Sequence, residues 1–150
     1  MDSNVSIRVM EKSDLERCAD LFLKVFNASP WFDEWQSAGQ VQQYLLEFMD
    51  NPVFVGYVIE RNQALLGACF GHTKSWYSGR EYHVHEYYID TGLQRSGLGS
   101  ALMNYIKDDL ISKNIHCMVL LTEKELPAEE FYKKQGFQVK QDLIFMYNKL

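Results

Sequence analysis

Residues 89–106, IDTGLQRSGLGSALMNYI, run from an apolar stretch through two glycines into a helical pattern. Leu98, Ala101, Leu102, Tyr105, Ile106 and Leu110 then recur as one helical stripe, and IHCMVLLT at 115–122 reads as a buried strand. With REYHVHEYYID before the turn, these stretches form a β-α-β unit. Such a crossover makes its two strands parallel and neighbouring, with a right-handed connection. The turn then lies at the carboxyl edge of a sheet and at a helix N-terminus. There the first N–H groups lack intrahelical partners, and the helix dipole adds roughly half a positive charge. Gly97 and Gly99 carry no Cβ, so a ligand can approach those amides closely. The arrangement is a seat for phosphate or pyrophosphate; otherwise the glycines only make a tight strand-to-helix turn.

The rest of the chain supplies the frame. VSIRV alternates as a first strand. Ser13 is placed to cap a helix with Leu15, Cys18, Leu21, Phe22, Val25 and Phe26 at spacings of three and four. NASPWFDEW breaks it. A second helix carries Val41, Tyr44, Leu45, Phe48 and Met49, and Asn51-Pro52 stops it. VFVGYVIE, ALLGACFGHTKSWY and REYHVHEYYID, joined at RNQ and SGR, read as an antiparallel meander. Pro127 opens a short helix to about Gln135 that Gly136 ends, and FQVKQDLIFMYNKL closes the chain as one or two strands. The order β-α-α-β-β-β-α-β-α-β describes an α/β (α+β) chain on one mixed, mostly antiparallel sheet with about four helices. At 150 residues it fits one domain spanning 1–150.

A formal net charge of −5 argues against nucleic acid or an anionic membrane surface as partner. It suits a cationic substrate, and equally a surface that only needs to be soluble. Cys18, Cys69 and Cys117 are odd in number and lie in apolar contexts, which reads as reduced core thiols in a cytoplasmic protein. MDSNVSIRVM has neither the basic nor the apolar region of a secretion signal, and no stretch approaches the ~20 apolar residues of a membrane span.

GLGSAL lacks the third glycine of a dinucleotide fingerprint, with Leu102 in its place. Glu123 could imitate a ribose-holding acid, but a Rossmann domain needs several β-α units, and this chain has one parallel pair. No Gly-Lys-Ser/Thr marks a P-loop. Gln94-Arg95-Ser96-Gly97-Leu98-Gly99 instead resembles the Q/R-x-x-G-x-G/A motif of the GNAT superfamily of N-acetyltransferases. HEYYIDTGLQRSGLGSALMNYI is similar to that family's fourth strand, loop and third helix, and PAEEFYKKQGF to its later Phe-Tyr, three residues, Gly-Phe motif. The resemblance implies acetyl-CoA as acetyl donor. Its pyrophosphate would lie on the amides around Arg95 to Ser100, and its pantetheine arm along the Tyr88, Ile89 and Asp90 edge. A splayed strand pair would admit the thioester, and a homodimer is an expectation of the same kind. The chain departs from the family at Thr91, where a proline is common, and at Glu125, where an asparagine is frequent.

Acetyl transfer to an amine needs a neutral nucleophile, and deprotonating an alkylamine of pKa near ~10.4 at pH 7 costs about 4–5 kcal/mol. A carboxylate acting directly or through water can take that proton. Glu86, eight residues before Gln94, stands where the family often places its base; its other reading is a charge that anchors a neighbouring strand. Strict alternation puts Glu86 on one face with Val84, Tyr88 and Asp90, and His83, His85 and Tyr87 on the other. His83 and His85 lack a third ligand at metal spacing, so no metal is expected. Tyr132 matches the family's tyrosine near the departing sulfur, the proposed general acid, and Phe131 beside it reads as core. Trp31, Asp33, Glu34 and Trp35, between the first two helices, suit an organic cation through cation–π attraction and ion pairing, or else pin the loop to the core. The implied reaction moves acetyl to a primary amine in one ternary complex. Polyamines, aminoglycosides, other small amines and peptide N-termini all fit. A CoA-binding regulator without turnover is the rival from another class, and a different acyl donor or an oxygen acceptor is a second.

Overall fold

The computed structural model describes residues 4–150; the first three, part of the segment read for a leader, lie outside the described residues. The elements in order are β1 (Val5–Val9), α1 (Leu15–Phe26), α2 (Ala38–Met49), β2 (Phe54–Arg61), β3 (Ala64–Trp76), β4 (Gly79–Ile89), α3 (Leu98–Ser112), β5 (Ile115–Leu120) and α4 (Pro127–Lys134). Short 3-10 turns precede α1 and follow β4. The sheet runs β1-β2-β3-β4-β5, antiparallel throughout except for the parallel β4–β5 pair. This is the mixed sheet with four helices that the periodicities describe.

Each face of the sheet has its own core. Phe22, Val25, Val41 and Leu45 of α1 and α2 pack on Val58, Phe70 and Tyr88. Leu102, Ile106 and Leu110 of α3 pack on Tyr57, Ile59 and Tyr82 of the opposite face. The strands between two helical layers therefore read as nearly continuous apolar runs rather than alternating ones. Among the described residues, no helix is long and apolar enough to cross a membrane.

Asp14, rather than Ser13, organises the start of α1. Ser13 lies inside the 3-10 turn, while the Asp14 carboxylate accepts the Glu11 N–H at 2.8 Å. Arg8 of β1 reaches Asp14 through two hydrogen bonds of 2.8 and 2.9 Å, and Arg17 reaches it at 2.7 Å. Both arginines also meet Glu60 of β2, at 2.8 and 3.0 Å. A carboxylate with an arginine on either side accepts hydrogen bonds more strongly than a serine hydroxyl can. The second helix is capped by Ser37, whose Oγ accepts the Gln40 N–H at 3.1 Å.

Three expectations fail in instructive ways. FQVKQDLIFMYNKL contains no strand: residues 137–150 hold only a turn, and from 138 onward every residue is exposed. A strand needs a partner, and among the described residues no strand pairs with this segment. IHCMVLLT is not buried, because β5 is the outermost strand; Ile115 is covered, but His116 and Cys117 are exposed. Cys117 is accordingly no core thiol, whereas burial pushes both Cys18 and Cys69 up to about 12.

The Arg8 hydrogen bonds hold the buried Asp14 carboxyl well below its usual range, so its stabilisation is complete above the unfolded pKa near ~3.9 and disappears in stronger acid. Asp14→Asn should cost about 3 kcal/mol at neutral pH by leaving two guanidinium groups to share Glu60 as their one remaining carboxylate. Urea unfolding at several pH values checks this. The gap between variant and wild type should shrink as the pH falls below about 4.

Candidate active site

The site begins with an extra residue in β4. Tyr88, Tyr87 and Glu86 pair with Ala68, Cys69 and Phe70 of β3, but the next pair is Val84 with Gly71. His85 has no partner, a β-bulge that resets the side-chain alternation. Val84 therefore joins Tyr82 in the core under α3, while Glu86 turns toward α2 with Tyr88 in the core under α1. Strict alternation misassigns this stretch. His83 and His85 share the α2 face with Glu86, and Tyr87 alone keeps the opposite one. His85 stacks on the Phe48 ring at 4.7 Å and meets His72 at 2.5 Å between ring nitrogens. Burial lowers the pKa of both imidazoles, so they favour the neutral form. Among the described residues, no cluster of three or more His, Cys, Asp or Glu side chains is arranged to hold a metal ion.

The bulge also marks where β4 and β5 separate. Their parallel pairing covers Arg80–Val84 against Ile115–Leu120 and stops there. From His85 to Ile89 no strand among the described residues pairs with β4 on that side. A cavity of about 460 Å³ occupies the opening. Glu86 and Tyr87 line it from β4, Leu120 from the end of β5, Leu121–Glu123 from the loop after it, and Tyr132 from α4; Trp31, Asp33 and Trp35 line it from the loop between α1 and α2. Trp31 and Trp35 also pack on Phe26 and Phe22 of α1, so the loop is both pinned and open to the cavity. Glu34 lies outside the lining.

Glu86 is largely buried, and its Oε1 accepts a hydrogen bond of 2.5 Å from the Tyr44 hydroxyl. Burial raises its carboxyl to about 7, the Asp33 charge adds to the rise, and the Tyr44 bond opposes it. A carboxylate that titrates at neutral pH can take up and give back a proton there. Burial likewise raises the Tyr132 hydroxyl above its ordinary value. Its ring is gripped edge-on by Tyr87, Phe131 and Phe137 at 5.4–6.1 Å between centroids. A phenol held protonated in this way is a hydrogen-bond donor before it is an acid.

At the far end of the unpaired β4 edge lies the glycine turn. Gly97 adopts φ +87°, with open space where a Cβ would stand, and precedes the first turn of α3. Gly99 has a different reason to be glycine. A Cβ there would press on the Phe131 ring at 3.3 Å, so it lets α4 approach α3. The turn is braced from within. Gln94 donates to the Ile89 carbonyl at 3.2 Å, Ser96 to the Leu93 carbonyl, and Ser100 Oγ accepts from Gln135 at 3.0 Å. Asp90 is tied to Lys24 at 2.6 Å, and Arg95 sits at φ +63°. Tyr88 and Ile89 are buried, and the Tyr88 hydroxyl donates to the Cys18 carbonyl. Their backbone, not their side chains, is what this edge offers.

A model of the acetyltransferase (GNAT) family matches residues 15–137. The chain belongs to the GNAT acetyltransferase family. Among solved structures, a possible acetyltransferase from Clostridium difficile 630 is 18% identical over 99% of each chain, with a TM-score of 0.82. An aminoglycoside acetyltransferase, meta-AAC0020 from an uncultured soil metagenomic sample, in complex with sisomicin, is 17% identical over 99% of this chain and 98% of that one, TM-score 0.77. Aminoglycoside N-acetyltransferase AAC(6')-Iy in complex with CoA is 15% identical over 100% and 98%, TM-score 0.77. At such identities the likeness is one of fold. A comparison with curated proteins finds no match.

Tyr44 is the residue of this GNAT site that sequence reading passes over, because it stands on the apolar stripe of α2 like any core aromatic. Its signal is a hydroxyl on that stripe, which burial obliges to find a partner. Tyr44→Phe removes the bond that holds Glu86 down, so the Glu86 carboxyl should titrate above about 7. Carbon-13 NMR of the glutamate side chains reads this directly, and an unmoved midpoint would mean that the bond does not form in solution.

Proposed function

We propose that this chain is an N-acetyltransferase that moves acetyl from acetyl-CoA to a primary amine, directly and within one ternary complex. The observation that carries the reading is Glu86, a carboxyl raised to about 7 in the opening between β4 and β5, facing the cavity that Tyr132 shares. The residues fit acetyl-CoA. The first-turn amides of α3 and the open space at Gly97 suit its pyrophosphate, and the unpaired edge of β4 suits its extended arm. When bound, it supplies an acetyl group already activated as a thioester.

The chain's own residues do the rest. Asp33, Glu86 and Glu123 make the cavity acidic, and Trp31 and Trp35 give it aromatic faces, so a protonated amine is drawn in. Glu86, ionised above about pH 7, takes the proton that the attacking nitrogen must lose. Tyr132 donates a hydrogen bond to the negative charge that gathers on sulfur as the thioester breaks. With its pKa above ~10 against about 8.5 for a thiol, its hydroxyl stabilises that charge more than it surrenders a proton. The acceptor class best matched is a small polycationic amine, and the neighbours that bind aminoglycosides make those the first compounds to try. The 1–150 chain works as one acetyltransferase domain in the reducing cytoplasm, where Cys18 and Cys69 stay thiols.

Release of free CoA thiol across a panel of aminoglycosides, polyamines and peptide N-termini tests the reading; binding without release in every case would make the protein a CoA sensor. In wild type, kcat/KM should fall as pH drops below about 7, where Glu86 takes up its proton. Glu86→Gln should lower kcat/KM by roughly 10²-fold at neutral pH and remove the break near 7, leaving a steady rise with pH as the amine itself deprotonates. Tyr132→Phe should lower kcat by a similar factor with little change in acetyl-CoA affinity. Full kcat with a lowered Tm would take Tyr132 out of the mechanism.

A further inference from the structure

Among the helices, the one that carries Tyr132 is the most lightly anchored. α4 buries no residue completely, whereas α1 and α3 bury six and five. The Tyr132 ring meets Tyr87 and Phe137 edge-on, an attraction that holds over centroid distances from about 4.5 to 7 Å and so tolerates sliding. A donor aimed at a reacting atom has no such latitude: about 1 Å of misplacement can cost roughly 10²-fold in rate.

Gln135, the residue that ends α4, removes the latitude. Its N–H closes on the Phe131 and Tyr132 carbonyls at 3.1 and 3.0 Å, so it is bonded to the backbone of the residue that has to be placed. Its carbonyl accepts from the Lys107 ammonium on α3, and its side-chain amide donates to Ser100 Oγ, in the first turn of α3, at 3.0 Å. Among the described residues, both hydrogen bonds that join α4 and its cap to α3 pass through Gln135. Any residue could cap the helix through its backbone. The bond to Ser100 needs this side chain.

Ser100 belongs to the turn whose amides suit a pyrophosphate. Its oxygen accepts from Gln135, so its own hydrogen is left to donate, and among the described residues no acceptor takes it. A phosphate oxygen that accepted it would polarise the hydroxyl and strengthen the bond from Gln135 behind it, because hydrogen bonds in series reinforce one another.

We propose that Gln135 is a positioning residue that couples the glycine turn to Tyr132. When the turn is occupied, the bond from Gln135 to Ser100 tightens, and α4 is fixed where the Tyr132 hydroxyl can reach the sulfur. With the turn empty, α4 is held more loosely. This role presupposes the acetyl-transfer reading above, in which Tyr132 is the donor.

Gln135→Met keeps the length of the side chain and the backbone cap and deletes only the side-chain donor. Amide exchange over residues 131–137, with and without saturating CoA, reads the coupling and needs no acceptor amine. In wild type CoA should slow that exchange by at least about fivefold. In Gln135→Met, calorimetry should find CoA affinity within about threefold of wild type, while the slowing of α4 is lost. Ser100→Ala breaks the same bond from its other end and should abolish the slowing too. In turnover, Gln135→Met should lower kcat about tenfold at nearly constant KM for acetyl-CoA, and Tyr132→Phe should cost less in that variant than in wild type. Equal slowing of α4 by CoA in wild type and Gln135→Met would overturn the coupling, and so would a Gln135→Met enzyme with full kcat. Wild type that binds no CoA would overturn the cofactor reading itself, a failure that calorimetry registers separately from the loss of coupling.

Discussion

One extra residue in β4 shapes the working part of the molecule. His85 is unpaired against β3, and at that position β4 leaves β5. Without the bulge, two parallel strands would continue side by side and their ladder would consume the backbone that now faces the opening. With it, Glu86 is turned toward α2 and an aromatic wall while the β4 edge stays unpaired. The same local defect therefore makes the space, frees the edge and aims the carboxyl. Bulges are common beside active sites for this reason.

Around that opening, burial sets the chemistry. A carboxyl in contact with water would ionise near ~4.3, which makes it a weak base at neutral pH. Glu86 is raised to about 7 because it is largely enclosed, with Asp33 nearby and only Tyr44 to hold it down. Tyr132 is enclosed too, and there burial preserves a donor rather than an acceptor. Two groups in one cavity are thus pushed the same way in pKa and toward opposite tasks. The GNAT fold supplies the frame, and the enclosure supplies the function proposed for it.

Much of this is legible in the sequence, and the failures have physical causes. The β-α-β unit, the meander and the four helices follow from periodicity and from glycine and proline placement, since those patterns report which side of an element is covered. The bulge is invisible to the same reasoning, because period-two counting assumes an unbroken ladder; it therefore sends Val84 to the face of Glu86 and the two histidines away from it. Ser13 lies inside the 3-10 turn, and Asp14 ties down the start of α1 instead, through arginine partners six residues before it and three after. Tyr44 looks like core until the carboxyl it meets, 42 residues away in sequence, is in view. The closing segment is a strand by composition. Pairing, which composition does not report, is what it lacks among the described residues.

The central claim is that the bare turn before α3 and the opening between β4 and β5 form one continuous track for acetyl-CoA. Calorimetric titration of CoA into Gly97→Asn and Gly97→Asp tests it most directly. Both residues tolerate the left-handed conformation found at φ +87°, and both enter open space, so backbone strain and bulk are shared and charge alone separates them. If a pyrophosphate lies on those amides, the aspartate should weaken CoA binding by at least about tenfold relative to the asparagine, because a like charge would sit beside it. Equal affinities in the two variants would contradict the account.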